Sequence, residues 1–129
     1  MQQRAAMARA LCLGADVLLM DEPFAALDVQ TRFKMQSFLL DIWQGSGKTV
    51  VFVTHHIDEA VYLADRMIIL TARPGRIRDD VSIAMPRPRN VIGADFERYR
   101  AIFVECLRAE VTKAFQEQEL AEMLDRRIK

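Results

Sequence analysis

The chain has 129 residues, 51% hydrophobic and 28% charged, enough for one compact domain and too apolar for intrinsic disorder. Its 18 Lys and Arg balance 18 Asp and Glu, so no bulk charge draws it to nucleic acid or an anionic membrane. No apolar run reaches the roughly 18 residues of a bilayer span, and the sequence reads as that of a cytosolic chain.

Residues 1–13 are rich in Ala, Met, Leu and Arg, all good helix formers, and Gly14 suits a C-terminal cap. The early arginines imitate a targeting peptide, but Asp16 interrupts the apolar stretch and no small-residue cleavage site follows. Residues 16–20 (DVLLM) are short, apolar and followed by acids, as in a buried parallel strand. A helix is expected over 29–44, where Met35, Phe38, Leu39, Ile42 and Trp43 form one apolar stripe, and Gly45 ends it. Residues 49–54 (TVVFVT) read as a second buried strand. A short helix over 57–64 opens with Asp58 and Glu59, acids suited to a helix N-terminus.

A third strand is expected at 66–70 (RMIIL), a turn at 72–77 (ARPGRI), and a further strand in RDDVSIAM. Residues 86–89 (PRPR) read as an extended linker. Asp95 is the expected N-cap of a last helical region, with Phe96, Tyr99, Phe103, Leu107 and Val111 on one stripe and helix continuing to the end. Cys12 and Cys106 are far apart and lack CxxC spacing, which favours two reduced thiols over a disulfide or metal site.

Residues 45–49 (GSGKT) imitate the tail of a phosphate-binding loop, Gly-x-x-x-x-Gly-Lys-Ser/Thr. The leading Gly would fall at position 42, which is Ile42, and the helix precedes the strand, the reverse of the required order. A helix N-terminus must follow such a loop to hold phosphate. The stretch is therefore a helix end and a turn.

Two strands separated by nearly thirty residues containing a helix form a right-handed parallel unit, whose strands end on one rim. That rim receives Asp21-Glu22 and His55-His56, and in open α/β sheets it is where ligands bind. Asp21 is a hard carboxylate able to hold the water shell of Mg²⁺, and adjacent Glu22 is placed to polarise or deprotonate an attacking water. An imidazole at His55 would hydrogen-bond a terminal phosphate. Alone, Asp-Glu-Pro after an apolar strand is also an ordinary turn. The adjacent histidines lack the i, i+4 spacing of a shared metal site.

The segments MQQRAAMARAL, ADVLLMDEPFAALD and GKTVVFVTHHIDEAVYLADRMIIL resemble, in order, the second half of an ABC-transporter ATP-binding subunit. In that resemblance QQR follows the signature motif, VLLMDEP is the Walker B strand, ALD the D-loop and VTH the switch-histidine loop. The match is dense over residues 1–71. ARPGRI and PRPR resemble the nitrate, sulfonate and taurine importer branch more loosely.

The resemblance implies a fold class: an α/β P-loop NTPase sheet flanked by helices, here lacking the phosphate-loop strand, plus C-terminal helices. It implies a division into residues 1–85 (the C-terminal portion of the ATPase domain), 86–94 (linker) and 95–129 (helical extension). Asp21 would position Mg²⁺, Glu22 would be the general base, His55 would contact the γ-phosphate, and Asp28 would reach across a dimer interface. Asp28 also stands where the 29–44 helix needs its N-cap. The family usually has Thr-His-Asp at the switch, whereas this chain has Thr54-His55-His56, so a nearby carboxylate is missing and His56 reads as a helix-start residue.

The phosphate loop, the adenine-stacking aromatic, the glutamine loop and the Leu-Ser-Gly-Gly signature do not occur in these 129 residues. The family sheet sets the phosphate-loop strand between strands matching 49–54 and 66–70, so its loss would leave a central gap and marginal stability. Mg-ATP would be the ligand of the complete subunit, and this chain alone would neither bind nor hydrolyse it. The implied partners are the N-terminal half, a second ATPase subunit and a membrane-embedded permease, which would hold the protein at the inner face of the membrane. A non-catalytic interaction module is the alternative. A helicase-like NTPase is disfavoured by the balanced charge.

Overall fold

A computed structural model describes residues 2–12 and 14–128. Met1, Leu13 and Lys129, ends of the expected first and last helices, lie outside the described residues, as do the side chains of 2–4, which carry the Gln-Gln-Arg resemblance. The chain divides into two compact units at Leu63/Ala64.

The first unit runs α1 (Gln2–Cys12), β1 (Val17–Asp21), α2 (Val29–Gln44), β2 (Thr49–Val53) and α3 (Ile57–Leu63). Strands β1 and β2 pair in parallel, Leu19 opposite Val51 and Asp21 opposite Val53, with α2 as the crossover. Met7, Leu18, Met20, Phe24, Met35, Leu39 and Leu63 form the core, with Val50 and Phe52 packed against it. On α2 the stripe buries Met35 and Leu39, while Ile42 and Trp43 are half-buried and Phe38 is exposed.

The strands differ from the expectation of burial on both faces. In β1 burial alternates, with Leu18 and Met20 inside and Val17 and Leu19 outside. A parallel pair has two faces, and the core cluster lies on only the one that carries Leu18 and Met20.

The GSGKT stretch is a helix end and a turn. Gly45 follows α2 in a right-handed conformation and donates its N–H to Trp43. Gly47 has φ +66°, the left-handed region open to glycine. Trp43 Nε1–H donates to the Lys48 carbonyl at 2.7 Å, and Lys48 Nζ to the Ala15 carbonyl at 2.5 Å, fastening the turn beside β1. No atom lies within 4 Å of a Cβ added at Gly47, so Gly47→Ala meets only the conformational penalty. We expect a loss of about 1–2 kcal/mol in chemical denaturation.

The second unit contains β3 (Arg66–Leu70), β4 (Ile77–Ser82) and α4 (Ala94–Ile128). Strands β3 and β4 are antiparallel, with a register irregularity between Ile69 and Leu70. Strands β2 and β3 belong to different two-stranded sheets and share no pairing. The expected C-terminal helices are one continuous helix of 35 residues, about 52 Å long at 1.5 Å per residue. No Gly or Pro interrupts it after Ala94. Asp95 is in its first turn rather than at the cap, and Glu97 N–H donates to the Gly93 carbonyl. The α4 stripe buries Phe96 and Phe103, half-buries Tyr99 and Leu107, and leaves Val111 exposed.

Residues 86–89 are fastened within this unit. Arg89 is buried and donates to the Ala64 carbonyl at 2.7 Å and the Met85 carbonyl at 3.1 Å, while Arg87 pairs with Asp65. Among the described residues no helix is long and apolar enough to cross a membrane.

Candidate functional site

The parallel pair delivers both candidate groups to one rim. Asp21 ends β1 and is exposed. Glu22 follows and keeps the ladder running, its N–H donating to the Val53 carbonyl at 2.9 Å. Its φ of +45° is in the left-handed region, strained for a residue with a Cβ. The chain then turns sharply, with Ala25 N–H donating to the Glu22 carbonyl at 3.2 Å and Leu27 N–H to the Phe24 carbonyl at 3.1 Å.

Phe24 anchors this turn. It is 1% exposed, belongs to the core cluster and packs on Phe52 with ring centroids 5.6 Å apart. Phe24 has no role expected from the sequence, because one aromatic after a strand carries no periodic signal. Its position two residues past Glu22, in a chain that also carries Phe52 in the second expected strand, is the clue that was present.

From the loop after β2, His55 reaches back, and its Nδ1 lies 2.6 Å from Glu22 Oε1. The imidazole side chain is 69% exposed and that of Glu22 30%. The second carboxylate oxygen, Oε2, is buried and has no hydrogen-bond partner among the described residues. The pair thus holds one oxygen of Glu22 and leaves the other buried and without a hydrogen-bond partner among the described residues. Among the described residues no group of three or more His, Cys, Asp or Glu forms a metal cage.

His56 is at the start of α3. Its carbonyl accepts from Ala60 N–H at 3.1 Å, and its own N–H donates to Thr54 Oγ1 at 3.1 Å. Its ring lies beside that of His55, tilted 38° to it, with centroids 4.1 Å apart. Glu59, read from sequence only as a first-turn acid, is buried and accepts from Gln36 Nε2 of α2 at 3.0 Å. That bond ties the helix after His55 to the crossover helix. Gln36 is adjacent to Met35 and off the apolar stripe, so no pattern marked it.

Asp28 is at the N-terminus of α2, apart from the Glu22–His55 contact. It has extended backbone, φ −65° and ψ 161°, and its Oδ1 accepts from Thr31 N–H at 3.0 Å, an N-cap arrangement. Arg32 Nη2 donates to the preceding Leu27 carbonyl at 3.1 Å and steadies the same loop. Hydrogen bonds from Thr31, the hydroxyl first and the N–H next, hold the Asp28 carboxyl below its ordinary range. A depressed folded-state value stabilises above the unfolded value and is lost as pH falls through the folded one. Asp28→Ala is therefore expected to lower Tm at pH 7, and the gap from the parent should shrink in acid below the usual aspartate range. A gap unchanged between pH 7 and pH 3 in thermal melts would count against the cap.

No family model matches the chain. It is 53% identical over 116 residues to an uncharacterised ABC transporter ATP-binding protein of Methanocaldococcus jannaschii, covering 90% of this chain and 43% of that one. It is 45% identical over 117 residues to an aliphatic sulfonates import ATP-binding protein of Bacillus licheniformis, covering 91% of this chain and 46% of the relative. A protein of the same description from Bacillus cereus is 47% identical over 100 residues, covering 78% and 40%. The chain thus spans less than half the length of the curated relatives it matches.

Proposed function

The chain belongs to the family of ABC-transporter ATP-binding proteins, and on that premise we propose that it is the C-terminal portion of an importer's ATP-hydrolysing subunit. The imported solute would be nitrate-, sulfonate- or taurine-like, as the aliphatic sulfonates relatives suggest. The observation that carries this reading is the 2.6 Å contact between Glu22 and His55 on one rim.

In the proposed mechanism Glu22 is the general base. His55 holds the carboxylate through Nδ1 and Oε1, and that carboxylate would accept the proton of the attacking water. With Nδ1 engaged, Nε2 is the nitrogen left for the γ-phosphate, and donation there requires a ring protonated on both nitrogens. Asp21, exposed at the end of β1, is a hard oxygen donor of the kind that holds Mg²⁺ through water. The ion would neutralise charge on the phosphates, which with water would complete its ligands. Asp28 would reach a second ATPase subunit while capping α2, the one role leaving its other carboxylate oxygen for the other.

Within this reading, residues 1–85 form the ATPase portion, 86–94 the connecting segment and 95–129 an extension that contacts other subunits. The partners are the phosphate-loop half, a second ATPase subunit and a membrane-embedded permease, through which the assembly is held at the cytoplasmic face. Mg-ATP is the ligand of the complete subunit. This chain lacks any Gly-x-x-x-x-Gly-Lys-Ser/Thr, and without that cradle of N–H groups little remains to hold a triphosphate. Calorimetric titration of the chain with Mg-ATP is expected to give no heat of binding in the micromolar range. A single chain joining it to the uncovered part of the B. licheniformis relative is expected to hydrolyse Mg-ATP. An inactive joined chain would favour the alternative, a non-catalytic interaction module.

A further inference from the structure

The imidazole that meets Glu22 is not fixed by burial. The His55 side chain is 69% exposed, and its aromatic contact is the neighbouring His56 ring, 4.1 Å away between centroids. Its place therefore comes from the backbone on either side, where Thr54-His55-His56 joins β2 to α3. On the strand side the ladder holds it. Val53 pairs with Asp21, and the Val53 carbonyl accepts from Glu22 N–H at 2.9 Å. On the other side the loop runs into α3, a helix of seven residues. Isolated helices shorter than about 12–15 residues are marginal in water, so α3 must be held by its neighbours.

Tyr62 and Leu63, at the far end of α3, belong to the core cluster or pack against it. Tyr62 also stands edge-on to Phe33 of α2, with ring centroids 6.5 Å apart. The first turn, next to His55, is joined to α2 in another way. Glu59, 3% exposed, accepts from Nε2 of Gln36, 4% exposed, at 3.0 Å. The partner of this buried carboxyl group is a neutral amide and not a cation. Such a bond is a poor source of stability, since apolar groups of the same shape can replace both partners at little cost. What it adds is direction. Apolar contact is non-directional and lets a short helix slide or turn on its neighbour, whereas a donor and acceptor must meet within about 3.2 Å. The contact at stake is equally exacting: a shift of about 1 Å at the start of α3 would carry His55 Nδ1 from 2.6 Å out of reach of Glu22.

We propose that Gln36 and Glu59 are a positioning pair for His55: their buried hydrogen bond sets the first turn of α3 on α2 and so places the imidazole against Glu22. The pair acts through the backbone between His55 and Glu59 and not on the reacting groups. Its bearing on hydrolysis rests on the function proposed above, whereas the placement of His55 is readable without nucleotide.

The test is the tautomer of His55 in the full chain, read by long-range nitrogen–proton correlation at about pH 9, above the ordinary imidazole range. His55→Asn assigns the signals. A carboxylate at Nδ1 requires the proton there, and a released imidazole favours Nε2–H. The parent is expected in the Nδ1–H form, with Glu22→Ala supplying the released spectrum. Gln36→Met/Glu59→Met fills the same space and should show the released spectrum, while its urea midpoint matches or exceeds that of the parent. Glu59→Gln keeps an acceptor for Gln36 and should keep the Nδ1–H form. In the joined single chain the double Met variant should lower ATP turnover as far as His55→Ala does.

A double Met variant that retains the Nδ1–H form overturns the proposal, and so does one that unfolds, because the pair would then serve stability. Loss of that form in Glu59→Gln, or its absence from the parent, has the same consequence. The two readings fail separately. If the tautomer shifts and turnover of the joined chain does not fall, the positioning stands and the functional reading fails. If Glu22→Gln abolishes turnover while the double Met variant leaves the tautomer unmoved, the positioning fails and the functional reading stands.

Discussion

Replacing Glu22 with Gln in the joined single chain is expected to lower ATP turnover about 10²–10⁴-fold, the usual contribution of a positioned general base. The substitution keeps the size of the side chain and a carbonyl oxygen for His55, but it removes the basicity of the carboxylate. Mg-ATP binding should change little, because a base acts on the water in the transition state and not on the bound nucleotide. Turnover and binding measured on the same variant separate these effects. His55→Ala is expected to fall in the same range, since it releases the carboxylate it holds at 2.6 Å. The double variant should then lose less than the product of the two single losses, because residues sharing one hydrogen bond are not additive. Multiplicative losses would show that the two groups act separately, and retained turnover in Glu22→Gln would remove Glu22 from the chemistry.

Phe24→Ala is expected to cost about 3–5 kcal/mol, as deletion of a fully buried phenyl ring does. Total stabilities of small domains run about 5–15 kcal/mol, so this one change takes the first unit close to unfolding. Trp43, half-buried in the same unit and hydrogen-bonded to Lys48, provides the fluorescence signal for urea denaturation. Phe38→Ala is the matched control. That ring is exposed on α2 although the periodicity assigns it to the buried stripe, and its removal should shift stability by no more than about 0.5 kcal/mol. Equal losses from the two variants would overturn the core described here. The Phe24 ring also backs the turn that keeps Glu22 at positive φ, so the substitution should disturb the site along with the fold.

Most elements were legible because their signals are local. The α2 bounds follow from the 3.6-residue stripe between a capping Asp28 and Gly45, and the structure starts and ends the helix at Val29 and Gln44. Strand β3 coincides with RMIIL, a short apolar run closed by turn residues on both sides. Strand β1 begins and ends one residue later than expected, since Asp21 still pairs with Val53 before the chain turns. The C-terminal region was legible as helix but not as one helix, because stripes show a period and give no length beyond the last buried residue.

The candidate site divides the same way. The chain order strand, helix, strand was sufficient to set Asp-Glu and His on one rim, because a right-handed parallel crossover admits only that arrangement. It gave no sign that His55 would contact Glu22 at one oxygen and leave the other bare, which depends on the strained turn and its Phe24 anchor. Gln36 and Glu59 are 23 positions apart in sequence, and a pair so separated becomes visible only when two helices are packed.

By itself, then, the sequence determined the elements, their order and the types of residue delivered to the rim, since propensity, periodicity and crossover handedness act over short spans or through topology. Only the tertiary structure decided which side of the parallel pair is covered, which carboxylate oxygen is held, and which polar residues are buried together. Those outcomes depend on which surfaces meet, and the burial of Leu18 beside the exposure of Leu19 turns on the presence of a packed layer and not on either residue's own chemistry.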